Sequence, residues 1–150
     1  MSQPAYKFTN ICPVFLSYDV KRTVRYYVEK LGFKFAEHYD KIENFATIYK
    51  DTIEIVIVQA RQGIVEPNAK RYGNGYDAYI DTDNLDGVRL VYEEYKSKGV
   101  KILEKPHMTP YGSLEFTFED IDGRIIGIGL IASKERYFEN SNLLSEESQE

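Results

Sequence analysis

The stretch RYYVEKLGFKF, Arg25–Phe35, reads as the end of an amphipathic helix, a glycine stop and the opening of a strand. Working back from Gly32, Val20, Val24, Tyr27, Val28 and Leu31 fall at helical spacing and make one apolar stripe. Ser17 or Asp19 can cap the start, and Gly32 stands where a left-handed C-terminal residue is wanted. The same shape returns in EEYKSKGVKI, Glu93–Ile102, with Gly99 in the place of Gly32. There Leu85, Val88, Val91, Tyr92 and Tyr95 form the inward stripe of a helix expected over 84–99. Two helices that each close on glycine and run into a strand raise the question of one module written twice.

The flanking elements answer it. Before the first helix, TNICPVFLSY (9–18) reads as a strand; after it, 33–39, 44–50 and 52–59 read as a meander of three. Around the second helix, 76–82 is a strand before it, and 100–103, 113–120 and 124–131 are strands after it. The turn DIDG places Gly123 at a positive-φ position. The order β-α-β-β-β thus occurs twice, over 9–59 and 76–131, joined by a polar linker at 60–75. The expected fold class is α+β, a single domain over 1–132, followed by an acidic tail, 133–150, with one short helix around Arg136–Asn142. Each βαβββ module covers one sheet face with its helix and leaves the other open. Two such modules make a curved mixed sheet around a concave groove, which suits a small molecule.

Composition narrows the ligand. The chain has 150 residues, enough for one compact unit or two small ones. Its formal net charge of −5 argues against a nucleic-acid backbone as partner. No apolar run approaches the roughly 20 residues of a bilayer span. The opening MSQPAYKFTN shows no leader pattern, and a cytoplasmic location is expected. Cys12 is the only cysteine, which removes an intramolecular disulfide and a cysteine zinc knuckle. With 13 Tyr, 8 Phe and no Trp, the aromatic content favours rings with one apolar face and one wet edge.

PVFLSYDVKRTVRYYVEKLGFK (13–34) resembles the opening of vicinal oxygen chelate proteins: a strand, an Asp, a helix with two aromatics, then LGF. YGSLEFTFEDIDGRIIGIG (111–129) resembles their closing hairpin, with Leu114 where an Arg is frequent and Ile121 where a Pro is frequent. The resemblance covers roughly 9–131 and implies the glyoxalase/bleomycin resistance fold, usually as a homodimer. The family includes glyoxalase I, extradiol dioxygenases, fosfomycin-resistance transferases and bleomycin-binding proteins, so it implies the fold more sharply than the function. Its metal enzymes place one ligand on each of four groove strands. Counting back from Asp19 to the first of these reaches Cys12, and counting on from Gly123 to the last reaches Gly127. The second-module position is Tyr76 or Asp77. Strand alternation, with Ala78, Ile80 and Thr82 under the helix, sends Asp77, Tyr79 and Asp81 to the groove. The remaining position is Glu54, because Ile53, Ile55 and Ile57 suit the helix side. Cys12, Glu54, Asp77 and Gly127 lack the imidazole that catalytic divalent metals usually want, so no cofactor is expected.

Other candidates carry less. His38 in the second strand and His107 beside Pro106 have no evident metal partner, and Cys12 has no base to activate it. Glu54, Asp77 and Asp81 can form an acidic strip for a cationic ligand, or can pair with Arg61, Arg71 or Arg124. Phe45, Tyr49, Tyr79 and Tyr111 can wall a planar ligand, or pack a core or dimer interface. The expected function is metal-free sequestration of a cationic or aromatic small molecule, as in the bleomycin-binding, antibiotic-resistance branch. The alternative is a divergent metal-dependent lyase, isomerase or dioxygenase with the ion on Glu54 and Asp77. A third class is a regulatory protein that uses its sheet or its tail to bind another protein.

Overall fold

A computed structural model describes residues 5–36 and 44–132, in two compact units that divide at Val65/Glu66. The suggested tail helix and His38 lie outside the described residues. The first unit runs β1 (Val14–Ser17), α1 (Val20–Glu29), β2 (Lys34–Ala36), β3 (Phe45–Lys50) and β4 (Ile53–Gln59). The second runs α2 (Asn68–Tyr72), β5 (Ala78–Asp81), α3 (Leu85–Ser97), β6 (Lys101–Met108), β7 (Ser113–Glu119) and β8 (Ile125–Ile131). Each unit holds a four-stranded mixed sheet, in the orders β1-β4-β3-β2 and β5-β8-β7-β6. In each, the first strand pairs parallel to the last and the other pairs are antiparallel. The module repeated in the sequence is therefore repeated strand for strand.

Local chemistry sets the boundaries. Asp19 caps α1 by accepting the Arg22 N–H at 3.1 Å, while Ser17 Oγ accepts the Asp19 N–H at 3.0 Å. Of the two residues offered as caps, Asp19 is the N-cap, and Ser17 steadies the cap residue. Gly32 and Gly99 follow their helices at φ 78° and 77°, where a β-carbon is unfavourable. Gly123 sits at φ 88° in the β7–β8 turn. Asp120 fastens that turn: its Oδ1 accepts the Asp122 and Arg124 N–H groups, and its Oδ2 takes the Arg124 guanidinium at 2.9 Å.

Two differences from the sequence reading stand out. The strand expected at 100–103 continues to Met108, so the loop before Tyr111 is short. The extension lies on an edge strand, with register shifts between Ile102 and Glu104 and between Glu104 and His107. An edge position and bulges admit Pro106, which lacks an N–H to donate. The second difference is a single turn of helix, α2, inside the expected linker.

Each helix packs on one face of its own sheet. In the first unit Val20, Val24, Tyr27 and Leu31 are buried together with Phe15, Ala46, Ile48, Ile55 and Ile57. In the second, Val88, Tyr92 and Tyr95 cover Phe116, Phe118, Ile126 and Ile128, and the Tyr95 and Phe118 rings meet edge to face at 5.3 Å. Leu85, expected inward, is exposed because it opens the first turn of α3. Burial of each large apolar side chain contributes about 1.5–3 kcal/mol, so these stripes suffice to hold the helices. The opposite face of each sheet carries neither α1 nor α3, and Glu54, Tyr49, Phe45, Tyr79 and Asp81 stand on it.

Candidate functional site

β7 is buried along both faces, which a one-sided sheet does not require. Leu114, Phe116 and Phe118 point under α3, and the intervening Ser113, Glu115 and Thr117 are buried on the uncovered side. Glu115 is 2% exposed. Its surroundings explain how a carboxylate is tolerated there. Oε1 accepts the Tyr76 hydroxyl at 3.2 Å and the Tyr111 hydroxyl at 2.9 Å. Oε2 accepts the Tyr79 hydroxyl at 2.9 Å and the Ser113 hydroxyl at 3.2 Å. Tyr79 and Ser113 also touch through their oxygens, at 3.0 Å. Among the described residues no Lys or Arg pairs with Glu115. The carboxylate is held by neutral donors alone.

Each tyrosine reaches this point for a separate reason. Tyr79 stands on β5 opposite Gly127 of the adjacent parallel β8, and Asp81 stands opposite Gly129. A β-carbon on Gly127 would lie 2.8 Å from Tyr79 Cδ2, and one on Gly129 would lie 2.2 Å from its hydroxyl oxygen. The ring therefore runs along β8 in the space that side chains at 127 and 129 would fill. Tyr111 sits in the β6–β7 turn, closed by the Thr109 N–H to Ser113 O bond at 2.8 Å, with Gly112 at φ 84°. That turn aims the ring back at Glu115. Tyr76 precedes β5, where Asn68 Nδ2 donates to its carbonyl at 3.1 Å. The Tyr76 and Tyr79 ring centroids are 6.1 Å apart.

The electrostatics follow from this packing. Burial first, then the charge and hydrogen bond of Glu115, push the Tyr76 phenol up to about 12. Burial and Glu115 raise Tyr79 further, against a lowering contribution from Ser113, and Tyr111 is raised in the same way. All three phenols stay protonated at neutral pH and donate to one anion. The three rings remain partly exposed, at 39, 40 and 57% for Tyr76, Tyr79 and Tyr111. The result is an aromatic surface backed by a sealed negative charge.

The residues singled out from sequence fall into groups. Tyr79 and Tyr111 converge on Glu115. Asp81 is exposed on the same face of β5 as Tyr79. Asp77 serves the backbone: Oδ1 accepts the Asn68 N–H at 3.0 Å and Oδ2 the Ile125 N–H at 2.9 Å, which ties α2 and β8 to the start of β5. Of the three arginines named as partners for the acidic strip, Arg124 binds Asp120 and Asp122 instead. In the first unit, Tyr49 and Glu54 are cross-strand partners, Phe45 pairs with Val58, and all lie on the side away from α1. Glu54 accepts the Asn10 side-chain amide. Cys12 is half-buried just before β1. His107 is half-buried and turns Nδ1 to the Lys105 carbonyl at 2.8 Å.

The donors do not fit a catalytic divalent metal. Both Asp77 oxygens are engaged by backbone N–H groups, and Gly127 supplies no donor and faces the Tyr79 ring. Among the described residues no group of three or more His, Cys, Asp or Glu is disposed to hold an ion. Glu115 and Ser113 were not reached from the sequence, and Tyr76 was named only as the alternative to Asp77 at the second-module position. The apolar alternation of β7 directed attention to its helix side, and Tyr76 lies outside β5, where alternation does not apply. The available signal was Gly127 and Gly129, two residues without side chains on the strand beside a tyrosine.

The comparisons agree with this architecture. The chain superposes on a glyoxalase/bleomycin resistance protein/dioxygenase from Alicyclobacillus acidocaldarius with a TM-score of 0.63 at 16% identity, covering 89% of this chain and 97% of that one. A glyoxalase/bleomycin resistance protein/dioxygenase from Nocardioides gives 0.61 at 14%, covering 83% and 85%. An integron cassette protein from the mobile metagenome of V. cholerae gives 0.57 at 22%, covering 83% and 96%. At these identities the likeness speaks for the fold alone. A search of curated proteins returned no match. The family model described as Glyoxalase/Bleomycin resistance protein/Dioxygenase superfamily matches residues 14–128, and the chain belongs to that superfamily.

Proposed function

We propose that the protein is a small-molecule-binding member of its superfamily, which holds a cationic or aromatic ligand without a metal and without breaking a bond. One observation carries the reading: a buried carboxylate with no cationic side chain opposite it among the described residues, surrounded by partly exposed tyrosines on the sheet face away from α3. Buried charges in proteins are generally paired, and a ligand is the natural source of the missing cation. Chemistry at the cluster is disfavoured by the same contacts. The phenols are held neutral, so none is a ready base, and Glu115 is occupied by four hydroxyls. Binding needs neither group to react. Sequestration by a homodimer completes the reading.

The test is a calorimetric screen of cationic and aromatic compounds against the wild type and Tyr111→Ala. Tyr111 is more than half exposed, so its truncation spares the core. An aromatic contact is worth about 0.5–1.5 kcal/mol beyond its area, and the variant should bind the best compound roughly 3- to 10-fold more weakly. Equal affinity in the two proteins removes the cluster from the ligand site.

A further inference from the structure

The ligand's charged group can be narrowed further, on the premise that the cluster is the binding site. A carboxylate offers about four lone-pair sites; the Tyr76, Tyr79 and Tyr111 hydroxyls donate to Glu115, and the Ser113 hydroxyl, whose one proton is shared between Oε2 and the Tyr79 oxygen, lies against the remaining site. The group is also sealed, at 2% exposure. An incoming N–H therefore finds no free acceptor on it. The negative charge is nonetheless present, just behind the three rings, with Asp81 adding charge on the same face of β5. The surface attracts a cation through space while offering little to hydrogen-bond it.

Such a surface discriminates by hydration. A primary ammonium gives up strong water contacts on approach, and here no carboxylate oxygen is free to replace them. A quaternary ammonium carries its charge on methyl groups, is weakly hydrated, and gains from aromatic faces. The phenols add to this attraction, because each O–H donated to the carboxylate leaves its ring more electron-rich. The phenols are neutral across physiological pH, as ordinary phenols are, and burial beside Glu115 extends that neutrality further into alkali.

We propose that the Tyr76–Tyr79–Tyr111 surface over Glu115 recognises a fully methylated ammonium group.

The experiment is calorimetry on the full chain with choline, ethanolamine and the uncharged carbon isostere dimethylbutanol. Choline should bind about tenfold or more tightly than either of the others. Glu115→Gln should bring choline down to the level of the isostere; far-ultraviolet circular dichroism confirms that the variant is folded. Should it not fold, Tyr111→Leu serves instead and should weaken choline about fivefold while leaving the fold intact. Ethanolamine binding as tightly as choline would overturn the proposal in favour of a hydrogen-bonded ion pair. The isostere binding as tightly as choline would overturn it in favour of a plain apolar wall. No choline binding, alongside another screened compound that depends on Tyr111, overturns the methylated-ammonium assignment alone. No Tyr111-dependent binding by any compound overturns the binding reading as well.

Discussion

At the scale of single residues, Asp77 and Glu115 exchange the roles that their positions suggest. Asp77 lies where the family places a ligand, yet both its oxygens hold backbone N–H groups. Asp77→Ala should lower stability by about 1–3 kcal/mol, the range for orphaned donors, and leave ligand affinity within about twofold. Urea unfolding together with calorimetry checks both halves; a large loss of affinity in a fully stable variant would return Asp77 to the ligand site. Glu115 was illegible for a physical reason. A glutamate between a leucine and a phenylalanine on a strand ordinarily faces water, and here Tyr76, Tyr79 and Tyr111 converge on it. Those contacts are distant in sequence and have no local period. Tyr79 and Tyr111 were legible as groove aromatics, but the anion that gathers them was not.

At the scale of elements, the β7–β8 hairpin is tied by Arg124, which pairs with two carboxylates. Asp120 and Arg124 are 5% and 4% exposed, and the guanidinium bridges Asp120 and Asp122. Removing one partner of a buried pair leaves an uncompensated charge and costs about 3–5 kcal/mol. Arg124→Met should therefore destabilise the chain by that amount, measured by urea unfolding, while Arg124→Met with Asp120→Asn should recover part of the loss. No recovery in the double variant would mean that the guanidinium acts through its stem rather than its charge. The helices were readable from the sequence because their apolar stripes and glycine stops are local signals. β6 was truncated in the reading because Pro106 breaks a strand pattern, and only its place at the sheet edge shows why the strand continues.

At the scale of the molecule, the tyrosine cluster links folding to alkaline pH. Tyr76 moves from an ordinary value of 10.0 to about 12 in the folded state. A raised acid binds its proton more tightly when folded, so its stabilisation is complete below pH 10 and is lost as pH climbs towards 12. Tyr79 and Tyr111 act in the same direction. The urea midpoint should fall across that window, and Tyr76→Phe should flatten the fall. A midpoint independent of pH there would show that the hydroxyls do not share the carboxylate. The repeat itself was legible because element order is a property of the whole chain, while the order of the strands within each sheet came only from the structure. The burial of the open face of β7 was not.

Gly127 and Gly129 have a consequence for how this chain can change. One ring from β5 takes the room of two side chains on β8. A carboxylate at 127, where the family resemblance expects a metal ligand, would be obstructed until Tyr79 became small. A smaller residue at 79 alone would leave Glu115 short of a donor. The Tyr79 ring thus opposes both changes, one by filling the space and the other by being needed as a donor, and drift by single substitutions will tend to keep a glycine at 127 and a tyrosine at 79 together.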